Sequence, residues 1–263
     1  MDLGLSGQRA IVCGSSRGLG RAVAAELLRE GAEVVVVARG LDELTRSARS
    51  LQQETGRRPW PVSADVTRAE DRERLVAAAE AHLGGVDILV ANAGGPPPGP
   101  FVSHDLDRFR LALDLAVISF ADLVARVVPG MRERGHGRIA QIVSVAGLET
   151  IDGLVLSNTS RPAALGLAKA LSRELGPDGV LVNSVCPGIF LTDRIRELVT
   201  ERARTTGLTQ EACLAQLAGD IPLGRTGEPR EIGDVVAFLV SPRNTYVTGA
   251  TIVVDGGRTR RLS

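Results

Sequence analysis

Apolar residues follow two alternating patterns along this chain. Short apolar runs, such as the one from Val34 to Ala38, are separated by longer stretches in which apolar residues recur at the period of a helix. This alternation is typical of βαβ units, which build a parallel sheet covered by helices on both faces. The pattern predicts strands near residues 9–13, 33–38, 60–63, 86–90, 137–143, 179–185 and 251–254. It predicts helices near residues 18–30, 41–55, 68–83, 105–134, 155–175 and 229–240. The expected fold is a doubly wound α/β fold with a parallel sheet of about seven strands.

The domain organisation follows from length and from the absence of linker-like sequence. A chain of 263 residues suits one large α/β domain, and no Ser/Gly-rich or Pro-rich linker divides it. The segment at about residues 190–226 is the clearest insertion, because its helical stretches Asp193–Arg204 and Glu211–Leu217 have no matching strand. We expect this segment to form a helical lid over the carboxyl edge of the sheet.

Composition and charge exclude several classes of function. Hydrophobic residues make up 44% of the chain, enough for a full core, and 31 acidic residues balance 31 basic ones. Without a net positive field, binding to nucleic acid or to an anionic membrane is not expected. The N-terminus resembles no leader, which predicts a cytoplasmic location. Three widely spaced cysteines suit neither a disulfide framework nor a metal site.

A glycine-rich turn joins the first predicted strand to the first predicted helix. Glycines at this spacing permit a tight turn, the approach of backbone N–H groups to a pyrophosphate, and close packing of helix on strand. The turn therefore predicts a dinucleotide cradle, although an ordinary βα turn is the alternative. Its predicted cofactor-binding residues are Gly14, Ser15, Ser16, Arg17, Gly18, Leu19 and Gly20.

The GxxxGxG spacing of this turn resembles the short-chain dehydrogenase/reductase (SDR) family, and ordered matches continue nearly to the end of the chain. They include the closing segments Val247–Gly249 and Asp255–Gly257, and they most resemble 3-oxoacyl-carrier-protein-reductase-like members. The resemblance implies a Rossmann-type fold and a catalytic serine at Ser144. It also implies cofactor contacts at Asp65, Val66, Asn92, Ala93, Gly94, Pro187, Gly188, Ile189 and Thr192, with Asn183 completing the motif beside the nicotinamide.

The residue that ends the second predicted strand indicates which cofactor binds. NAD-preferring members of the family place an acidic residue there to hold the ribose 2′-hydroxyl, whereas this chain has Arg39. Together with Arg17 it offers two guanidinium groups to a 2′-phosphate. We therefore predict NADP(H), the alternative being that two arginines fall there by chance in an arginine-rich chain.

The catalytic positions depart from the family pattern. Where the family has a Tyr-x-x-x-Lys pair, this chain has Ser157 and Arg161, and Ala116 stands at the position of the catalytic Asn. Neither the only tyrosine, Tyr246, nor the only lysine, Lys169, can substitute, since Lys169 lies about 12 Å further along the same predicted helix. The usual general acid is therefore missing.

The remaining polar groups predict a modified catalytic set. Ser144, Ser157 and Arg161 could form a donor cluster for an oxyanion, with water supplying the proton, because an arginine does not release protons near neutrality. Arg161 would also hold the nicotinamide ribose in place of the lysine. Glu149, Asp152 and His104 are further candidates for acid–base work, and solvated loop residues are the alternative for each.

These observations predict an NADP(H)-dependent oxidoreductase acting on a small-molecule carbonyl or alcohol, with no metal. Two alternatives remain open. The first is a non-redox enzyme on the same fold, such as a cyclase or dehydratase. The second is a catalytically silent nucleotide-binding protein acting in sensing or association. The resemblance also implies a homodimer or homotetramer, paired through the helices predicted at 105–134 and 155–175.

Overall fold

One seven-stranded parallel sheet runs through the protein. The structure is a computed structural model and describes residues 2–261. The strands are β1 (Arg9–Cys13), β2 (Glu33–Ala38), β3 (Trp60–Ser63), β4 (Ile88–Asn92), β5 (Gly137–Ile142), β6 (Val180–Pro187) and β7 (Thr251–Val254). Their spatial order is β3-β2-β1-β4-β5-β6-β7, and every neighbouring pair is parallel. The predicted doubly wound fold is confirmed.

Helices connect the strands and cover both faces of the sheet. They are α1 (Gly18–Arg29), α2 (Leu41–Thr55), α3 (Ala69–Leu83), α4 (Leu106–Leu113), α5 (Ser119–Arg134), α6 (Val155–Leu175), α7 (Asp193–Thr206), α8 (Gln210–Ala218) and α9 (Pro229–Val240). Within residues 2–261, none of them combines the length and the apolar character that a membrane crossing requires.

Two hydrophobic cores lie on opposite faces of the sheet. In β1, Ala10 and Val12 contribute to one core with α1, α2 and α9, while Ile11 and Cys13 contribute to the other with α3, α5 and α6. Successive strand residues point to opposite faces, so a strand covered on both sides must be apolar throughout. The continuous valine run of β2 meets this requirement.

The predicted elements agree with the structure except in one helix. Strand ends differ from prediction by no more than two residues; β4, for example, begins at Ile88 where position 86 was predicted. The helix predicted at 105–134 is present from residue 106 to residue 134, but it is not a regular α-helix throughout. A π-helical turn, Asp114–Ile118, separates α4 from α5, and the Ser119 N–H donates to the Asp114 carbonyl five residues back.

The sheet topology determines where a ligand site can form. β1 pairs with both β2 and β4, so the direction in which strands are added reverses there. In open α/β sheets, ligands bind outside the carboxyl ends of the strands at such a switch point. The glycine-rich turn after β1 and the loop after β4 both lie at this edge.

Candidate functional site

The glycine-rich turn takes a shape that only glycine permits. Gly14 has a φ of 61°, in the left-handed region, and a Cβ there would lie 2.6 Å from the side-chain nitrogen of Asn92. A Cβ at Gly20 would lie 2.2 Å from the carbonyl oxygen of Gly14, so α1 packs directly against the turn. The first N–H groups of a helix have no partner within it, and at the start of α1 they lie in this turn.

Ser15 holds the turn to the neighbouring strand. It is fully buried; its backbone N–H donates to the Val37 carbonyl at 3.0 Å, and its hydroxyl accepts from the Val37 N–H at 2.8 Å. The hydroxyl also donates to the Val12 carbonyl at 2.9 Å. Since these polar groups already have partners, Ser15 shapes the turn, and the exposed ligand-facing groups come from residues beside it.

Asn92 joins the ends of β1 and β4. Its side-chain amide donates to the carbonyl oxygens of Cys13 and Gly14, at 3.3 and 3.4 Å. A small cavity begins beside it and is lined also by Val66, Ala93 and Arg161. Residues predicted to contact the cofactor from two different loops and a helix therefore line one cavity.

The Asp65 loop is held rigidly beside this cavity. The Asp65 carboxylate accepts from the N–H and the hydroxyl of Thr67, at 3.0 and 2.7 Å. The Asp65 N–H donates to the Asp71 carboxylate at 2.8 Å, which lowers the pKa of Asp71. These bonds fix the backbone of Asp65 and Val66 in an Asx turn at the end of β3.

Two exposed arginines flank the mouth of the glycine-rich turn. Arg39 follows β2 and is exposed. Arg17 is also exposed, and its guanidinium lies 3.9 Å from carboxylates of both Glu43 and Glu197. Exposed ion pairs at such distances contribute little to stability, so a phosphate could draw Arg17 away from both glutamates.

Ser144 lies just beyond the end of β5 and is half-buried. Its hydroxyl oxygen accepts from the Ala146 N–H at 3.1 Å and so caps a short 3-10 turn, Val145–Gly147. A Cβ at Gly147 would lie 3.3 Å from the backbone carbonyl carbon of Arg161, so this glycine lets the turn pack directly on α6. Ser144 is therefore held next to the helix that carries Ser157 and Arg161.

Arg161 is a buried cation on α6, only 5% exposed. Its burial lowers the pKa of the guanidinium, and no carboxylate among the described residues offsets the charge. The neighbouring Cys186 does not offset it either, because burial raises the pKa of that thiol to about 11 and keeps it neutral. Ser157 lies one helical turn before Arg161 and is half-buried, so the two share one face of α6.

Ala116 lies in the π turn, which lacks some of the usual helical hydrogen bonds. Its carbonyl oxygen accepts from the side-chain amide of Gln141 on β5 at 3.2 Å. The Leu115 carbonyl accepts from the hydroxyl of Ser119 at 2.7 Å. Ala116 and Gln141 both line the cavity that reaches Arg161.

Two loops on the far side of the site are fastened to each other. The Gly99 N–H donates to the Gly153 carbonyl at 2.7 Å, so the Pro/Gly-rich stretch after β4 pairs with the loop before α6. The side chain of Asn158 accepts from the Ile151 N–H and donates to its carbonyl, at 3.0 and 2.9 Å. Asn158 thus fixes the loop that precedes Ser157.

The three other acid–base candidates lie around these loops. His104 packs on Gly99, where a Cβ would lie 2.9 Å from its Nε2. Glu149 is half-buried at the end of the 3-10 turn, and Asp152 is exposed. The structure does not place any of them in the cavity lined by Arg161, and acid–base roles for them stay predictions.

The segment after β6 crosses the glycine-rich turn and leads into α7. The Gly188 N–H donates to the Val254 carbonyl at 2.9 Å, which fixes the start of the segment on β7. The methyl group of Thr192 lies 3.5 Å from the position of a Cβ on Gly18. Arg194, in the first turn of α7, lies 3.4 Å from the corresponding position at Gly95. The predicted helices of the 190–226 segment are present as α7 and α8, and a lid function for them stays a prediction.

Comparison with known proteins identifies the family of this chain. The family model described as enoyl-(acyl carrier protein) reductase matches residues 14–259. Dehydrogenase/reductase SDR family member 4 from Oryctolagus cuniculus is 35% identical over 259 residues, covering 98% of this chain and 96% of that protein. The chain belongs to the SDR family. The 3-oxoacyl-acyl-carrier-protein reductase of Vibrio cholerae, also an SDR protein, is 33% identical over 255 residues and covers 97% of this chain and 98% of its own. Among solved structures, L-sorbose reductase from Gluconobacter frateurii, complexed with NADPH and L-sorbose, superposes with a TM-score of 0.96 at 33% identity over the whole of both chains.

Two residues of this SDR site are not found by motif matching. Gln141 has a recognisable signal, since it is the one uncharged polar residue inside the buried strand Gly137–Ile142. Asn158 has none, because its function depends on a loop that returns to the start of its own helix. Both side chains hold the backbone of a neighbouring segment by hydrogen bonds. The order of motifs along a chain does not predict such contacts.

Proposed function

We propose that this protein is an NADP(H)-dependent oxidoreductase that interconverts a small-molecule ketone and alcohol with a modified catalytic set. One observation carries the proposal: the glycine-rich turn, the exposed pair Arg17 and Arg39, and the buried cation Arg161 lie along the same edge of the sheet. In this proposal the glycine-rich turn holds the pyrophosphate, and the two exposed arginines hold the 2′-phosphate. Arg161 donates hydrogen bonds beside the nicotinamide end of the cofactor.

The residues present fit a dinucleotide. A Cβ on Gly14 or Gly20 would collide with Asn92 or with the Gly14 carbonyl, so only glycine lets the turn close tightly, and Arg161 is buried without a carboxylate partner among the described residues. In our proposal Ser16 to Gly20 hold the pyrophosphate, Arg39 holds the 2′-phosphate, and the loops at Asp65, Asn92 and Pro187 hold the remaining parts. When bound, NADP(H) supplies or accepts the hydride. Solved SDR reductases with NADPH, including the polyketide ketoreductase of actinorhodin at 30% identity, support this choice.

Ser144, Ser157 and Arg161 stabilise the substrate oxygen in this proposal. The Ser144 hydroxyl accepts from the Ala146 N–H and donates to no acceptor within residues 2–261, so its proton can be donated to a developing alkoxide. Arg161 adds positive charge but cannot shuttle a proton near neutrality. Water therefore delivers the proton, and we expect turnover below that of an enzyme with a positioned general acid, which contributes about 10²–10⁴-fold.

A second candidate function follows from the missing general acid. With Ser157 and Arg161 in place of the tyrosine and lysine, the cradle is preserved while the proton donor is lost. That combination favours non-redox chemistry, or nucleotide sensing, over ordinary reduction. The two candidates share the cofactor site, so cofactor binding alone does not separate them.

The deciding experiment follows NADPH absorbance against a panel of ketones and β-ketoacyl thioesters, with NADPH binding measured separately. The oxidoreductase proposal expects slow oxidation of NADPH with at least one substrate. The triple variant Ser157→Tyr, Arg161→Lys and Ala116→Asn should be faster. If the wild type binds NADPH but never oxidises it, while the triple variant does, the second candidate replaces the first.

Cofactor preference gives the first prediction. We expect NADPH to bind at least about tenfold tighter than NADH, because one charge-assisted hydrogen bond to a phosphate contributes about 1.5 kcal/mol or more. Arg39→Ala should abolish most of the preference in fluorescence titrations with both cofactors. Arg49→Ala removes a similarly exposed arginine from α2 and should change neither affinity. Equal affinities in the wild type would contradict the phosphate clamp.

A further inference from the structure

Gln141 is a buried polar residue in the middle of the sheet whose two side-chain atoms differ in their surroundings. It is 3% exposed and lies on β5, with Ala116 of the π turn on one side. Its Nε2 donates to the Ala116 carbonyl, while its Oε1 has no hydrogen-bond partner within residues 2–261. A buried carbonyl oxygen without a partner destabilises a protein, so this orientation needs a reason.

The orientation of the amide is fixed by chemistry. The Ala116 carbonyl is purely an acceptor, so only the NH₂ group of Gln141 can face it. Reversing the amide would set two oxygens against each other. Oε1 therefore turns away from the π turn.

Arg161 has the complementary deficiency in the same cavity. Its Nε is buried and has no partner among the described residues. Both side chains line one cavity of about 10 Å³, together with Ala116. That volume is close to what one water molecule needs, and a water with a donor and an acceptor to bind is stable when buried. The small side chain of Ala116 contributes to the room available.

We propose that Gln141 is a positioning residue for Arg161, acting through a single water molecule. The water accepts from the Arg161 Nε–H and donates to Gln141 Oε1, in the space beside Ala116. Gln141 thus joins the π turn to the guanidinium and fixes its orientation. The consequence for cofactor binding rests on the proposed function, but the link between the two side chains does not.

The first test observes the Arg161 Nε–H directly in the protein without cofactor or substrate. Protein labelled with ¹⁵N-arginine should show several slowly exchanging buried Nε–H groups, since Arg72 and Arg138 are buried too, and the one that is lost in Arg161→Lys belongs to Arg161. In Gln141→Leu this proton should exchange about tenfold faster, the scale of one lost hydrogen bond. Ala116→Val fills the space and should produce the same change.

Gln141→Glu separates positioning from a merely structural role. It keeps an oxygen toward Arg161 but loses the NH₂ group that holds the π turn. If the proposal holds, Gln141→Glu keeps the slow exchange that Gln141→Leu loses. If Gln141 serves only to hold the π turn, both variants behave alike, and the proposal is overturned. Should Gln141→Leu fail to fold, wild type, Gln141→Glu and Ala116→Val still decide between these outcomes.

A double-mutant cycle provides the second test. Removing the acceptor and filling the space act on the same water, so Gln141→Leu with Ala116→Val should accelerate exchange no more than either change alone. If the two substitutions instead accelerate exchange independently, so that their effects multiply, the two side chains do not share a water. NADPH affinity measured in the same variants shows whether the contact between Gln141 and Arg161 affects cofactor binding. A protein that never binds NADPH would refute the proposed function and leave the exchange result intact.

Discussion

Ser144 and Ser157 carry the same side chain but are held differently, and this difference decides their expected roles. Ser144 receives a backbone hydrogen bond that orients its hydroxyl, whereas the Ser157 side chain makes no hydrogen bond within residues 2–261. We expect Ser144→Ala to lower turnover by about 10²–10³, the scale of losing one oxyanion donor. Ser157→Ala should be milder, because water can replace a serine that only donates. Steady-state kinetics on a substrate found in the panel checks both.

The matched control at this scale is Ser6→Ala, which removes an exposed hydroxyl from the turn before β1, away from the site. Its turnover should stay near that of the wild type. If reduction survives Ser144→Ala undiminished, the chemistry belongs to Glu149, Asp152 or His104, and the donor cluster is not the catalytic set.

Single residues differ in how much of their role the sequence could predict. The sequence identifies Gly14 and Gly20 because much of their requirement is local, a positive φ at Gly14 and the contact of Gly20 with the Gly14 carbonyl. Ser15 was assigned to the cofactor from its place in the motif, but its burial depends on β2, which lies next to it only in the folded sheet. Gln141 shows the same limit, since its partner on the π turn is remote in sequence.

The elements around the site are fixed to one another by side chains that cap or clamp backbone. Asn158 holds Ile151 by two hydrogen bonds and so orders the loop between Ser144 and Ser157. Asn158→Ala should loosen this loop, raising KM and lowering kcat together by about tenfold, since each bond contributes about 1 kcal/mol. Thr159→Ala is the control, because that hydroxyl only donates to its own helix. An unchanged KM in Asn158→Ala would show that the loop does not contact substrate.

A sequence predicts helices and strands well where burial is periodic, and the departure from a regular α-helix within 105–134 has a physical cause. The buried positions Ala112, Ala116 and Phe120 are spaced by four, slightly more than the helical period of 3.6. A pattern of apolar residues does not distinguish a spacing of four from a period of 3.6. The backbone, however, must widen one turn to keep all three residues in contact with the core. The π turn does this, and Gln141 and Ser119 satisfy the carbonyls that it frees.

At the scale of the whole molecule, ion pairs link the amino-terminal ends of the strands, at the end of the sheet opposite the site. Asp87 pairs with Arg9 at 2.6 Å and with Arg134 at 3.2 Å. Burial alone would raise the pKa of Asp87, but the two arginines outweigh it and lower the pKa. A carboxylate whose pKa is lowered in the folded state stabilises the protein above its ordinary pKa, and this contribution is lost as the pH falls.

We therefore expect Asp87→Asn to lower the free energy of unfolding by about 2 kcal/mol at pH 7, the scale of a charged hydrogen bond. The difference from wild type should close as the pH falls below about 4, where an ordinary Asp takes up its proton. Urea denaturation at several pH values measures both. Asp107→Asn, which breaks a fully exposed pair with Arg110, should have little effect. If the difference in free energy of unfolding between Asp87→Asn and wild type persists in acid, packing and not charge explains the lower stability of the variant.

Two exposed surfaces predict how the molecule associates. On α6, the small residues Ala163, Gly166 and Ala170 are exposed on one face, where another helix could approach closely. At the sheet edge, β7 pairs with β6 alone among residues 2–261, and Val253 is 39% exposed there. An unpaired edge with apolar side chains favours association, and association of identical chains is usually twofold. We expect a dimer or a tetramer by light scattering at micromolar concentration.

Substitutions on the two surfaces separate these outcomes. If the protein is a tetramer, Ala163→Glu and Val253→Asp should each leave a dimer, and together they should leave a monomer. If it is a dimer, one of the two alone should produce a monomer and so identify the surface that pairs. Gln53→Glu adds the same charge on exposed α2 and should not change the mass. Because loops of the site lead directly into α4 and α6, a monomeric variant should also lose turnover if pairing holds these helices in place. A wild-type protein that is monomeric at micromolar concentration would contradict the prediction.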